Sequence, residues 1–401
     1  MPAEAATIDP LKTPTLDPVI RSRLVPGVNG LDLHVLDAGF ETPGRPCLLL
    51  LHGFPELAYS WRKLMPALAA AGYHVIAPDQ RGYGRTTGWN ADYDGDLAPF
   101  RILNLVRDVL GLLHVLGIPN VACVIGHDFG TFVAGWCALL RPDVFEAVVV
   151  MSAPFTGAPA ITDGEERKSE PDIHAALAAL EPPRKHYWRY YATREAATDM
   201  RGSAMGSGSI SAGLMDPDPN SFVHAFLRAY YHYKSADWPG NEPQPLASWS
   251  AVELAKLPTY YVMNRDRTMP EDCAPFMPDA AAIAKCNWLT EAELAVYAAE
   301  FSRTGFQGGL NWYRANFTDR YRAELEVFAG RTIDRPACFI SGRHDWGHYQ
   351  VPGAIERMRE QTFTRTLGCH FVDGAGHWVQ QEQAVEVTRL LLAFLASASA
   401  C

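Results

Sequence analysis

The 401-residue chain has no apolar run near the ~20 residues needed to span a bilayer, and no cluster of basic residues. The first absence argues against a membrane-spanning helix. The second, with 35 Lys and Arg against 45 Asp and Glu and a net charge of −10, argues against nucleic acid or an anionic membrane surface as partner. The N-terminus carries Glu4 and Asp9 and lacks an apolar segment, so no signal peptide is expected. None of the eight cysteines forms a CxxC pair, which excludes a disulfide scaffold and points to a reducing, cytoplasmic home. No internal repeat is present. At 48% hydrophobic and 20% charged residues the chain is ordinary globular material.

From Val19 to Met151 short apolar runs alternate with helical patterns. Leu31–Ala38, Pro46–Leu51, His74–Pro78, Val121–Gly126 and Phe145–Met151 read as strands. Trp61–Ala71, Phe100–Leu116 and Thr131–Arg141 read as helices. Unbroken apolar strands separated by helices predict an α/β fold, with a mostly parallel sheet covered on both faces. The rhythm stops at Pro154. Up to about Gly330 helical patterns dominate, among them Ser221–Lys234 and Glu291–Arg303, and no buried strand is expected before Ala337. Thr290 with Glu293 predicts a capping box, and Gly305 a helix stop. Gly202–Pro219 is expected to be a loop. The rhythm then resumes with strand Ala337–Ile340, helix Gly353–Glu360, strand Thr366–Val372 and helix Val379–Leu395. The expected organisation is an arm (1–18), a core (19–153 and 333–401) and a helical insertion (154–332).

One further absence sets the chemistry. The strand before residue 127 ends in Gly126-His127-Asp128-Phe129-Gly130 and a helix follows. Small residues two places either side allow a tight strand–turn–helix bend that thrusts its central side chain above the sheet. No Ser or Cys occupies that position; Asp128 does. A carboxylate attacking an ester would make a labile anhydride. A carboxylate attacking a saturated carbon with a leaving group makes a stable ester that water can hydrolyse. The loop His52-Gly53-Phe54-Pro55-Glu56, after another strand, and the helix start at Phe129 are placed to offer the backbone N–H groups of Phe54 and Phe129 to an oxyanion. His52 reads as a structural residue, and Pro55 as a candidate cis proline. In chain order, an acid and a histidine follow at strand ends: Asp345 in Ser341-Gly342-Arg343-His344-Asp345, and His377 in Gly374-Ala375-Gly376-His377-Trp378. Asp345 would orient His377, and His377 would activate water. Asp79 and Asp373 read as structural. His344 and His348 have ligand-like spacing but no third partner, so no metal is expected.

On His52-Gly53-Phe54-Pro55, Gly126-His127-Asp128-Phe129-Gly130 and Gly376-His377-Trp378 together, the sequence resembles the epoxide hydrolases of the α/β-hydrolase fold. The resemblance spans roughly Arg21 to Met151 and Arg335 to Leu395, and its specificity lies in the combination. It implies conversion of a small-molecule epoxide to a vicinal diol without a cofactor, under a helical cap. It also implies two cap tyrosines that donate hydrogen bonds to the epoxide oxygen. Gly309-Leu310-Asn311-Trp312-Tyr313-Arg314 nominates Tyr313. Tyr187-Trp188-Arg189-Tyr190-Tyr191 nominates Tyr187, with Tyr190 and Tyr191 as alternatives because Trp188 stands where the family carries glutamine. Two other readings stay open. One is a dehalogenase using the same Asp and His, although Phe54 and Phe129 offer no side-chain donor to a halide. The other is a catalytically inactive ligand-binding relative. A homodimer is compatible with either reading.

Overall fold

The most apolar runs become the innermost strands. A computed structural model of the chain describes residues 8–162, 172–202, 219–317 and 319–400. In it β3 (Cys47–Leu51), β5 (Cys123–His127), β6 (Val148–Met151) and β9 (Ala337–Gly342) are buried along their whole length. With β1 (Arg21–Val28), β2 (Leu31–Ala38), β4 (His74–Pro78) and β10 (Thr366–Val372) they form an eight-stranded sheet in the order β1-β2-β4-β3-β5-β6-β9-β10. The pairs from β4 to β10 are parallel; β1–β2 and β2–β4 are antiparallel.

Side-chain alternation splits the interior into two layers. Leu49 and Leu51 of β3 face a core made with helices Ile102–Val115 and Phe129–Leu140. Leu48 and Leu50 face the opposite layer, under helices Met65–Ala70 and Ala384–Ser399. Residues of the inserted segment, such as Tyr191, Phe226 and Leu310, join the first layer. The insertion therefore shares one continuous apolar cluster with this layer.

Several expectations change. β1 was not expected, because Arg21, Arg23 and Pro26 break its alternation; it survives as an edge strand, where Pro is tolerated. Its turn does carry a signal: Asn29 and Gly30 both have positive φ (49° and 80°), the backbone of a two-residue hairpin. The insertion holds a short antiparallel pair, β7 (Arg184–His186) with β8 (Val262–Asn264), too brief to leave a periodic trace. The expected helix Trp61–Ala71 is a tight turn, Ala58–Trp61, and a helix beginning at Met65 with Pro66 in its first turn. The expected Val379–Leu395 breaks at Gln383. The capping box at Thr290 and Glu293 and the stop at Gly305 (φ 71°) are present. The loop expected over Gly202–Pro219 falls largely outside the described residues.

Candidate active site

The bend after β5 is as tight as the glycine spacing requires. Asp128 holds φ 53° and ψ −122°, a conformation non-glycine residues rarely adopt. A Cβ on Gly126 would lie 2.7 Å from the Thr131 nitrogen, and one on Gly130 would lie 2.7 Å from the His52 carbonyl oxygen. Thr131 pins the bend by donating from Oγ1 to the Gly126 and Met151 carbonyls, 3.1 and 3.0 Å away. The bend leaves the Asp128 side chain 13% exposed, whereas the side chains of His377 and Asp345 are 1% exposed.

The two oxygens of that carboxylate meet different partners. Oδ1 accepts the Phe54 N–H at 2.9 Å, and Oδ2 lies 3.2 Å from His377 Nε2. Phe129 N–H, at the first position of the helix, makes no bond to the carboxylate among the described residues. The Phe54–Pro55 peptide is cis. Burial alone would raise the Asp128 carboxyl, but the hydrogen bond and charge of His377, then Lys234 and His127, hold it well below the usual carboxylate range.

On its other side, His377 Nδ1 lies 3.1 and 3.2 Å from the two Asp345 oxygens. Asp345 is itself held by the Gly347 N–H at 2.6 Å. Burial and Lys234 push the His377 imidazole down, yet Asp345 and Asp128 outweigh them and raise it.

The sequence reading missed what carries His377. Its carbonyl accepts from Ser152 Oγ at 2.9 Å and from His127 Nε2 at 2.7 Å. His127 Nδ1 shares a 2.6 Å hydrogen bond with the fully buried Glu56. Glu56 also accepts from Gln380 Nε2 (2.9 Å) and from the Gly53 N–H (3.2 Å). One buried carboxylate thus ties the oxyanion loop to the histidine turn. His127 and Glu56 both sit inside motifs noted above; the missed signal was a pair of polar residues flanking apolar strand ends.

Tyr187 and Tyr313 pack edge-on against each other above this group, with ring centroids 6.0 Å apart. The Tyr313 ring also stands edge-on to Phe54 and Phe129, at 5.7 and 5.3 Å. Burial first, then the Asp128 charge, raises both phenols well above their ordinary value, so both remain protonated donors. The alternatives are engaged elsewhere: Tyr190 donates to Asp199 at 2.9 Å, and Tyr191 is hydrogen-bonded to Tyr230 at 3.2 Å. Trp188 stacks on Phe317, 4.3 Å away.

The residues read as structural lie away from this group or are fully engaged. Asp79 bonds His34 Nδ1 and the N–H groups of Ala58 and Arg85. Asp373 pairs with Arg343 at the surface. His52 bonds the Gly53 carbonyl and the Gln80 N–H. His344 and His348 bond the Asn241 carbonyl and Ser341 Oγ. No metal-binding cluster occurs among the described residues.

Comparison with known proteins places the chain in a family. Residues 46–195 match the family described as alpha/beta hydrolase fold. Epoxide hydrolase B of Mycobacterium tuberculosis (strain ATCC 25618 / H37Rv) is 36% identical over 87% of this chain and 91% of its own length. Epoxide hydrolase A of that strain is 34% identical over 92% and 95%. Among solved structures, an epoxide hydrolase from an endophytic Streptomyces superposes with a TM-score of 0.73 at 30% identity, covering 95% of this chain and 96% of that one. Potato epoxide hydrolase I gives 0.66 at 28% identity, over 94% and 99%.

Proposed function

Because the chain belongs to the epoxide hydrolase family of the α/β-hydrolase fold, we propose that it opens a small-molecule epoxide to a vicinal diol through an ester on Asp128. The observation that carries this reading is the split of the Asp128 carboxylate, one oxygen under the Phe54 N–H and the other facing His377. Oδ2 attacks a ring carbon and the C–O bond of the ring breaks. The departing oxygen takes a proton from Tyr187 or Tyr313, and the other tyrosine stays hydrogen-bonded to it. A positioned general acid is worth about 10²–10⁴ in rate.

Hydrolysis uses the other half of the site. Water gives a proton to His377 Nε2 and attacks Asp128 Cγ. The negative charge lands on Oδ1, where the Phe54 N–H already points and the Phe129 N–H adds a second donor. Loss of one such donor costs about 10²–10³. The intermediate collapses, the diol oxygen takes the proton back from His377, and the proton that the added hydroxyl leaves on the Asp128 carboxyl returns to the tyrosinate, so that carboxylate and phenol are both restored. Asp345 supports the transient imidazolium. Every step uses protein groups and water, so no cofactor enters. A halide-releasing reaction is disfavoured by the neighbouring indoles: the Trp312 and Trp378 N–H groups are already spent on the Arg81 and Tyr231 carbonyls.

The test is H377Q incubated with styrene oxide. Intact-mass spectrometry should find one substrate mass added to the protein, persisting without turnover. A folded variant that stays unmodified would sink the covalent route.

A further inference from the structure

One buried cation is unused by this scheme. Lys234, the last residue of helix Pro219–Lys234, is 2% exposed. The other fully buried bases each have a carboxylate: Arg62 has Glu293, Arg81 has Asp108 and Arg228 has Glu291. Among the described residues Lys234 has none within ion-pair distance. Its Nζ lies instead over the rings of Tyr261, Tyr230, Trp378 and Tyr260, at 4.8, 5.2, 5.3 and 5.6 Å, and 3.5 Å from the Tyr230 hydroxyl. Rings compensate a desolvated charge only in part.

Its backbone is fused to the histidine turn. The Lys234 carbonyl accepts the His377 N–H at 2.9 Å. A Cβ on Gly376 would lie 2.6 Å from that carbonyl oxygen. Glu382 gathers the N–H groups of Ala236, Gly376 and Trp378 at 2.8–2.9 Å. The residue is therefore anchored to the histidine turn by its backbone, with its ammonium over the Trp378 ring that packs edge-on against His377.

We propose that Lys234 is a positioning residue for ester hydrolysis, its caged ammonium opposing the His377 imidazolium once Asp128 has passed its charge to the substrate. The inference rests on the ester reading above. In the free site Asp128 and Asp345 both favour the imidazolium, while burial and Lys234 oppose it. Alkylation removes the Asp128 charge. Asp345 alone then faces Lys234, and the imidazole is left neutral, able to take a proton from water. The displaced negative charge ends on the Tyr187 or Tyr313 phenolate that has protonated the ring oxygen, and Asp345 is the carboxylate left on His377. His127 is paired with Glu56 and His348 is bonded to Ser341, while burial pushes Glu382, bound to three amides of this turn, up to about 8, a titration common to all the variants compared, and burial likewise pulls the Lys234 ammonium down. Cys273, Tyr230, Tyr260 and Tyr261 are raised by burial and stay protonated.

The experiment follows formation and decay of the ester by quench-flow and intact mass, from about pH 5 to pH 9, around the range where a histidine titrates. Wild type, K234M, K234Q and K234R are compared after circular dichroism confirms their fold. Below its controlling ionisation the decay rate falls tenfold per pH unit. In K234M and K234Q this acid limb should move up by about one unit, making decay about tenfold slower there, and K234R should restore it. An unmoved limb in whichever neutral variant folds overturns the proposal. So does a K234R limb displaced as far as that of the neutral variants. If wild type and H377Q both fail to form an ester, the covalent reading itself fails and takes this inference with it.

Discussion

Tyr313→Phe isolates one hydroxyl with little else disturbed. The Tyr313 ring is 3% exposed and wedged edge-on against Tyr191, Phe129 and Phe54 at 4.9–5.7 Å, with Phe317 stacked at 5.6 Å. Phenylalanine keeps all of those contacts. The hydroxyl has no hydrogen-bond partner among the described residues, so its removal orphans no buried group and should leave stability within about 0.5 kcal/mol. The kinetic effect should be larger. A donor to a developing alkoxide in a dry pocket is worth roughly 3–4 kcal/mol when it acts alone. Tyr187, packed edge-on against the Tyr313 ring, is the second proposed donor, and its retention should recover part of that. The expected loss in the alkylation step is therefore more than about tenfold but short of the full 10²–10³. Y187F should behave alike, and the double variant should lose far more than either. Tyr191→Phe is the control: equally buried and adjacent, but bonded to Tyr230, it should change alkylation less than about threefold. Single-turnover quench-flow with mass detection reads the ester-forming rate directly. A Y313F enzyme that alkylates at the wild-type rate would refute the acid assignment, as would a Y191F loss equal to that of Y313F.

Two further outcomes test the scaffold. Gly130→Ala would put a methyl 2.7 Å from the His52 carbonyl oxygen, and backbone cannot yield cheaply there. Denaturant unfolding should show a loss of at least about 3 kcal/mol, and a variant within 1 kcal/mol of wild type with normal turnover would contradict the bend's tightness. Near the sheet edge, burial pushes Asp37 up, but the His74 imidazole 3.9 Å away, the hydrogen bonds from Arg21 and the charge of Arg23 overcome it and lower its carboxyl to about 2. A folded-state value below the unfolded one gives stability that is present above the unfolded pKa and drains away as pH falls toward about 2. D37N should therefore flatten the decline in melting temperature between pH 4 and pH 2, and an unchanged acid slope would count against the pairing.

Much of the site could be read from local signals. Asp128 is legible because a bend this sharp demands small residues at fixed offsets, and those offsets survive in any sequence that makes the bend. Asp345 and His377 follow from strand ends, since a parallel sheet gathers the loops at the carboxyl ends of its strands. The strands β3, β5, β6 and β9 announce themselves because strands buried on both faces stay apolar until their carboxyl ends, where His127 and Ser341 stand in β5 and β9.

Where the local code is mixed, it failed. β1 carries charges on an exposed edge, and the pairing of β7 with β8 joins segments some eighty residues apart with three residues each. Tyr187, Tyr190 and Tyr191 are neighbours in one short helix, so the chain alone could not rank them. The structure separates two of them by partner: the Tyr190 hydroxyl meets Asp199 and the Tyr191 hydroxyl meets Tyr230. The same holds for Lys234 and the pairing of Glu56 with His127. A lysine at the end of an aromatic-rich helix looks like any solvated terminus until packing encloses it. The chain's own pattern determined which backbone bends and which strands lie innermost, because those are short-range steric and hydrophobic constraints. Only the docking of the insertion onto the sheet decided which polar groups are desolvated and what they face, because burial and charge coupling belong to the assembled three-dimensional neighbourhood.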